Sequence, residues 1–74
     1  MLKIGNMEDK IITSNLSELI DLSGTTVREL ARLCGLAPGT IQRAKHDIEH
    51  LSLSTLKKIA DILDVEIKEL FDEV

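Results

Sequence analysis

Several residue types are scarce in this 74-residue chain, and each shortage excludes a kind of structure. The chain has no Trp or Tyr and a single Phe, so its core must be built from aliphatic side chains. Cys34 is the only cysteine, which excludes an internal disulfide and a disulfide-stapled secreted scaffold. No apolar run approaches the roughly 20 residues of a membrane span, and the N-terminus lacks the basic and apolar blocks of a signal peptide. We therefore expect a cytoplasmic protein with no membrane partner.

An overall excess of positive charge is also missing. The chain has 9 Lys and Arg against 13 Asp and Glu, a formal net charge of −4, which is not typical of nucleic-acid-binding proteins. The charges are segregated, however. Residues 25–45 contain four basic side chains and one acidic one, whereas residues 61–74 contain one Lys and six acidic residues. The basic charge is therefore concentrated on one internal segment.

That basic segment has the pattern of two short helices joined by a tight turn. Apolar or small residues recur at the spacing of one buried helix face, at Val27, Leu30, Ala31 and Cys34. Gly35 allows the left-handed backbone that ends many helices, and Pro38 suits the first position of the next helix. With Ile41 and Ala44 facing inward, both helices can pack on one core while the outer face of the second stays exposed.

The rest of the chain predicts three further helices. The first begins at Asn15, which would form a capping box with Glu18, and it ends at Ser23–Gly24. Thr25 or Thr26 then caps the helix that runs to Cys34, and the next helix runs from Pro38 to Lys45 or His46. A later helix follows a cap at Ser52 or Ser54, with a buried stripe at Leu53, Leu56, Ile59, Ala60 and Leu63. The last helix carries an inner stripe of Ile67, Leu70, Phe71 and Val74.

Helices of two or three turns are unstable alone in water, so these five must share one core. The predicted fold class is all-α, a compact five-helix bundle in a domain at 14–74. Residues 1–13 are expected to form an N-terminal arm, loose over 1–9. The alternative for residues 1–13 is a short hairpin, whose edge could pair with a second copy of the chain, or a short strand at 10–13 alone.

Other chemistry has little support in the sequence. His46 and His50 have the spacing of two metal ligands on one helix face, but no third ligand is evident beyond Asp47 or Glu49, so we expect surface histidines and no metal site. Cys34 lies on a buried stripe, where a free cysteine acts as a small apolar residue. No nucleophile elbow or phosphate-binding loop is present. We expect no catalytic residues, no cofactor and no enzymatic activity.

Two patterns in the chain match a known family. The first, LA-x-x-x-G-[VL]-x-x-x-x-[IV], is formed by Leu30, Ala31, Gly35, Leu36 and Ile41. The second, S-L-x-T-L-x-x-I-A-x-x-L-x-V-x-x-x-[ED]-L-F, is formed by Ser52, Leu53, Thr55, Leu56, Ile59, Ala60, Leu63, Val65, Glu69, Leu70 and Phe71. Over residues 15–72 the chain thus resembles the phage-repressor helix-turn-helix family of the Cro and lambda-repressor type. The resemblance implies a lambda-repressor-like bundle that binds double-stranded DNA as a transcriptional regulator of prokaryotic or phage type, as a homodimer on a two-fold site.

The resemblance also implies which residues meet DNA. Residues 38–46 would form the recognition helix in the major groove, with Gln42 pairing with adenine and Arg43 with guanine. The amides of Thr26 and Val27 would face a phosphate, and Arg28, Arg32 and Lys45 would steer or touch the DNA backbone. For Arg28 and Arg32, a solvated charged face is an equal alternative. The expected DNA-binding set is Thr26, Arg28, Pro38, Gly39, Thr40, Gln42, Arg43, Lys45 and His46.

Several departures from the family pattern leave a second function open. Val27 replaces the usual Gln, Pro38 and Gly39 replace polar or basic residues, and the loop at 46–50 contains acidic residues. The alternative is a protein-interaction module on the same fold, antirepressor-like or antitoxin-like, with weak or no DNA binding. Its partner would cover the recognition helix or the loop at 47–51. Ile48 and Leu51 would then mark a partner or dimer surface; otherwise they cover the core.

Overall fold

The computed structural model describes residues 11–73, which form four α-helices, two short 3₁₀ turns and a two-stranded sheet. The elements in chain order are β1 (Ile12–Ser14), α1 (Leu16–Ser23), α2 (Val27–Cys34), α3 (Pro38–Ala44), a 3₁₀ turn (Ile48–His50), α4 (Leu53–Leu63), a second 3₁₀ turn (Ile67–Glu69) and β2 (Phe71–Glu73). The expectations for residues 1–9 and for Val74 lie outside the described residues. The division into an arm at 1–13 and a domain at 14–74 stays a prediction.

Most helix ends follow the predicted capping residues. The Thr26 hydroxyl accepts a hydrogen bond from the Glu29 amide at 3.1 Å, which satisfies one of the amides left unpaired at the start of α2. That helix ends at Gly35 with φ of 73°, and the next amide, from Leu36, donates to the Ala31 carbonyl at 2.9 Å. Ser52 caps α4 in the same way as Thr26 caps α2. These boundaries of the two-helix unit, which we define as Val27–Ala44, are confirmed.

The core is aliphatic, as the composition requires. Helix α2 packs on α3 and α4, and α1 packs on α4. The largest fully buried side chains are Leu16, Leu30, Ile41, Ile59 and Leu70. Each contributes on the order of 1.5–3 kcal/mol through removal of apolar surface from water. Together they hold the two-helix unit against the rest of the molecule.

The exposed fractions of three hydrophobic side chains test which residues form the core. Ile48 is only 2% exposed, so it belongs to the core and is not part of a partner surface. Leu51 is half-buried and packs against the core as well. Leu53, in contrast, is 69% exposed, so its predicted place in the buried stripe of α4 is wrong. A helical period predicts which way a side chain points, but it does not show how far the core extends along the helix.

The predicted fifth helix is wrong. Residues Ile67–Glu69 form a single 3₁₀ turn, and Phe71–Glu73 form β2, which pairs antiparallel with β1. Thr13 lies opposite Asp72 in this sheet, so the alternative of a strand near 10–13 is confirmed in part. The physical reason lies in the tertiary partner, because β1 supplies hydrogen bonds that a helix at this position would have to form internally. The fold is therefore mostly helical and not all-α.

The predicted capping box at Asn15 and Glu18 is also wrong. The Asn15 side-chain amide donates to the Glu69 carbonyl at 3.3 Å and to Asp72 Oδ2 at 3.0 Å. Its backbone amide donates to the Leu70 carbonyl at 2.9 Å. Asn15 thus attaches the start of α1 to the C-terminal turn and strand through Nδ2, and its side chain accepts no capping hydrogen bond from α1. The reciprocal capping pair in the structure is Glu66 and Glu69, which closes the second 3₁₀ turn.

None of the helices between residues 11 and 73 has the length and apolar character that crossing a membrane requires.

Candidate nucleic-acid interface

The outer face of α3 is polar and open to solvent. Its side chains recur at the helical spacing of three, four and seven residues, and all four positions are exposed: Gly39, Gln42, Arg43 and His46. The opposite face carries Ile41 and Ala44, which are fully buried in the core. Burial of one face therefore forces the other outward, and this amphipathic division holds α3 on the surface.

The ends of α3 are determined by local sequence. Pro38 is the first helical residue, and the Thr40 amide donates to the Ala37 carbonyl at 3.0 Å. At the other end helical turns continue past Ala44, because the His46 and Asp47 amides both donate to the Arg43 carbonyl, at 3.0 and 2.8 Å. The predicted end near residue 45 or 46 is thus confirmed within the usual uncertainty of helix ends.

The structure places all nine predicted DNA-binding residues where solvent reaches them. Seven are exposed: Thr26, Arg28, Pro38, Gly39, Gln42, Arg43 and His46. Thr40 and Lys45 are half-buried. Two of the nine lie at the start of α2 and seven on α3 or the turn that follows it. The set is therefore confined to the two-helix unit and the residues that directly flank it.

Two arginines of this region have acidic partners. Arg32 donates from Nε and Nη2 to the two carboxylate oxygens of Glu29. This hydrogen bonding by Arg32 lowers the pKa of Glu29, and the same bonding to Glu29 raises the pKa of Arg32. Both side chains are largely exposed, so the pair contributes little to stability.

The second pair involves Asp47, which is not among the predicted DNA-binding residues. Arg43 Nη2 lies 3.6 Å from Asp47 Oδ2, and both side chains are exposed. The signal was present in the sequence, because residues four apart on a helix are neighbours on its surface. The predicted helix ends before Asp47, however, so the sequence pattern leaves this residue in the following loop.

Metal binding and a reactive thiol find no support in the part of the chain that the structure describes. Residues 11–73 contain no group of three or more His, Cys, Asp or Glu that could hold a metal ion, and His50 donates through Nδ1 to the Asp47 carbonyl. Burial raises the pKa of the Cys34 thiol, with Lys58 opposing the shift weakly. This effect keeps the thiol in its unreactive form.

An apolar groove of about 210 Å³ lies beside the sheet, lined by Ile12, Ile48, Glu49, Leu56 and Phe71. It is smaller than the roughly 300–1,000 Å³ typical of small-molecule sites.

Two short helices joined by a tight turn, the second with an exposed polar face, define the class of small helix-turn-helix proteins. A family model described as the Cro/C1-type helix-turn-helix DNA-binding domain matches residues 15–74. The chain belongs to this family, as the sequence patterns predicted. Double-stranded DNA is accordingly the partner class of the domain, and such families are generally non-enzymatic.

A solved structure resembles the chain over most of its length. It is the crystal structure of a protein from Bacteroides fragilis described as a "putative DNA-binding protein". The match has a TM-score of 0.76 and 26% sequence identity, and it covers 84% of this chain and 100% of the other. Among curated proteins, none matches this chain significantly.

Proposed function

We propose that the protein is a sequence-specific transcriptional regulator of prokaryotic or phage type, which inserts α3 into the major groove. The exposed polar face of α3 is the observation that carries this proposal. Gln42 and Arg43 lie side by side on that face. A Gln amide offers a donor and an acceptor that match adenine, and an Arg guanidinium offers two donors that match the two acceptors of guanine.

The remaining predicted residues would contact the DNA backbone. Thr26 and the Val27 amide lie at the positive end of α2, where a phosphate is attracted by the helix dipole and by backbone N–H groups. Arg28 in the first turn of α2 and Lys45 directly after α3 add positive charge, whereas Arg32 contributes less because Glu29 already accepts two of its hydrogen bonds. At the start of α3, Pro38 and Gly39 offer little base readout, whereas the Thr40 hydroxyl can contact a base or a phosphate. Gly39 has no side chain, and this lets the helix backbone approach the groove closely. His46 would reach the DNA from the far end of the helix.

We further propose that the protein acts as a homodimer in the cytoplasm, without a cofactor or catalytic activity. Phosphate neutralisation provides much of the affinity of any DNA-binding protein, and a single domain with so few basic side chains would bind weakly. Two copies on a two-fold site would double these contacts. Their recognition helices would lie about one turn of DNA apart, roughly 34–36 Å.

A salt titration tests the proposal. Purified protein is added to fluorescently labelled mixed-sequence and promoter duplexes at rising salt, and binding is followed by anisotropy. We expect the slope of log affinity against log salt to be about −0.9 per neutralised phosphate. The variant Arg43→Ala should lose about 1–3 kcal/mol of binding free energy on the preferred sequence. No binding at low salt, at concentrations above the dimerisation range found by sedimentation, would overturn the proposal.

Lys68→Ala is the matched control for Arg43→Ala. It removes the same unit of positive charge, but Lys68 lies in the acidic C-terminal segment and pairs with Glu66 at 3.5 Å. We expect its DNA affinity to stay close to that of the wild type. An equal loss in both variants would mean that Arg43 acts only through net charge.

The second candidate remains a protein-interaction module with weak or no DNA binding. The net charge of −4 and the acidic partners of Arg32 and Arg43 favour it, because each weakens attraction to phosphate. The two candidates differ in the result of the same titration. A module of this kind would bind both duplexes weakly or not at all at low salt, without preference between them, and Arg43→Ala would not change that preference.

A further inference from the structure

We propose that Asp47 is a positioning residue that sets the DNA selectivity of Arg43. This inference rests on the proposed function and deepens it. Asp47 lies one helical turn after Arg43, and its backbone amide donates to the Arg43 carbonyl at 2.8 Å. The carboxylate therefore stands beside the guanidinium, with Oδ2 3.6 Å from Nη2.

The backbone of Asp47 is held on both sides. Before it, the bond to the Arg43 carbonyl ties it to α3. After it, the His50 ring donates to the Asp47 carbonyl, and Ile48 is buried in the core with 2% exposure. The carboxylate itself is 49% exposed, on the same surface as Arg43, which is 65% exposed. The buried and hydrogen-bonded neighbours of Asp47 thus hold a negative charge at the edge of the outer face of α3.

The ion pair between Arg43 and Asp47 is poorly explained as a source of folding stability. Exposed ion pairs add little to stability, and this one has a single contact longer than a short hydrogen bond. Its position is better explained by its effect on what Arg43 binds. A guanidinium has five N–H donors, so two can bind guanine while another remains directed at Asp47.

A phosphate, in contrast, would bring its negative charge close to the Asp47 carboxylate. Repulsion between them penalises the arrangement in which Arg43 grips the DNA backbone of any sequence. Contact with guanine brings no such charge near Asp47. The carboxylate therefore lowers affinity for all DNA, but it lowers affinity for non-specific DNA more. The expected result is a larger ratio between specific and non-specific affinity.

The variant Asp47→Asn tests this role, with Glu49→Gln as the control that removes the same charge two residues away. Affinities are measured on a mixed-sequence duplex and on the best duplex that wild-type protein selects from a random pool, at one salt concentration. For Asp47→Asn we expect mixed-sequence binding to tighten by up to about tenfold near 0.1 M salt, because one more phosphate can be neutralised. Binding to the selected duplex should tighten much less, so the ratio of specific to non-specific affinity falls. Glu49→Gln should preserve the ratio.

A double variant separates positioning from a general charge effect. In an Arg43→Ala background, Asp47→Asn should no longer change the ratio, because the side chain that Asp47 positions is gone. An unchanged ratio in Asp47→Asn alone, or an equal fall in Glu49→Gln, would overturn the role of Asp47 while leaving the DNA-binding function intact. Failure of wild-type protein to bind any duplex would overturn both.

Discussion

At the scale of single residues, Arg32 and Arg43 show that the contact a charged side chain makes with its acidic partner affects its availability to DNA as much as its charge does. Arg32 meets Glu29 through two hydrogen bonds, which occupy both oxygens of the carboxylate. Arg43 meets Asp47 through one longer contact. Most of the donors of Arg43 therefore remain directed at solvent, where a base edge could accept them.

Two glycines of the two-helix unit should respond to alanine in opposite directions. Gly35 has φ of 73°, whereas Gly39 is inside α3, and a Cβ added at either position would meet nothing within 4 Å. Only backbone conformation therefore separates them. We expect Gly35→Ala to lower the free energy of unfolding by about 1–2 kcal/mol, the penalty for a side chain in left-handed backbone. Gly39→Ala should raise it by about 0.4–1 kcal/mol, because alanine restricts the unfolded chain.

Urea unfolding followed by far-ultraviolet circular dichroism measures both variants, since the chain has no Trp or Tyr to serve as a fluorescent reporter. The two substitutions add the same methyl group, so each is the control for the other. Shifts of the same sign would contradict the backbone explanation.

Sequence identifies a residue with left-handed backbone only where that conformation nearly requires one residue type, glycine. Gly24 and Gly35 both adopt left-handed backbone at the ends of their helices, as glycine at such positions predicts. Asp64 adopts it too, with φ of 61°, at the end of α4. Aspartate tolerates this conformation without requiring it, so nothing in its identity distinguishes Asp64 from an ordinary loop residue.

At the scale of elements, local patterns predict helices well and the C-terminal strand poorly. The ends of α2 follow from Thr26 and Gly35, which act on neighbouring residues. The segment Ile67–Glu73 carries apolar residues at helical spacing, yet it ends in β2. Its strand partner, β1, lies 59 positions earlier in the chain at the pairing of Thr13 with Asp72. No short window of sequence contains both, so the pairing could not be predicted from local spacing.

Helix α2 also contains a pH-dependent contact. Because hydrogen bonding by Arg32 lowers the pKa of Glu29, ionised Glu29 stabilises the fold above its ordinary pKa of 4.5. This stabilisation is lost as pH falls through the lowered value. We expect Glu29→Gln to melt at a slightly lower temperature than wild type near neutral pH, since both side chains are exposed and the effect is small. Below the lowered pKa, the two melting temperatures should converge.

Thermal melts across this pH range provide the measurement. Glu18→Gln is the control, because it removes a carboxylate from the first turn of α1, a helix that contains no basic residue. A change shared by both variants is therefore due to the loss of a carboxylate near a helix N-terminus. A Glu29→Gln difference that persists unchanged in acid would show that Arg32 is not the cause.

At the scale of the whole molecule, net charge is distributed unevenly along the chain, and this distribution is independent of the apolar core. Residues 25–45 carry four basic side chains and one acidic one, whereas residues 61–74 carry one Lys and six acidic residues. Sequence predicts this division, because charge can be counted along the chain. It also predicts the outer face of α3, since Ile41 and Ala44 mark the inner one. It does not predict Asp47 as a partner of Arg43, because the predicted helix ends at Lys45 or His46, whereas the Asp47 amide still donates to the Arg43 carbonyl.

Ile48 connects the region after α3 to the core, and its truncation should affect the whole fold. Ile48→Ala removes a side chain that is 2% exposed, at an expected loss of about 2–5 kcal/mol through lost burial and a residual cavity. Total stability for a chain of this length is on the order of 4–11 kcal/mol, so the variant should be close to unfolding. Leu53→Ala is the control: it truncates a side chain that is 69% exposed, and its effect should stay within about 0.5 kcal/mol. Urea midpoints measure both variants, and a similarly small loss for Ile48→Ala would mean that the region from His46 to Leu51 is not anchored by the core.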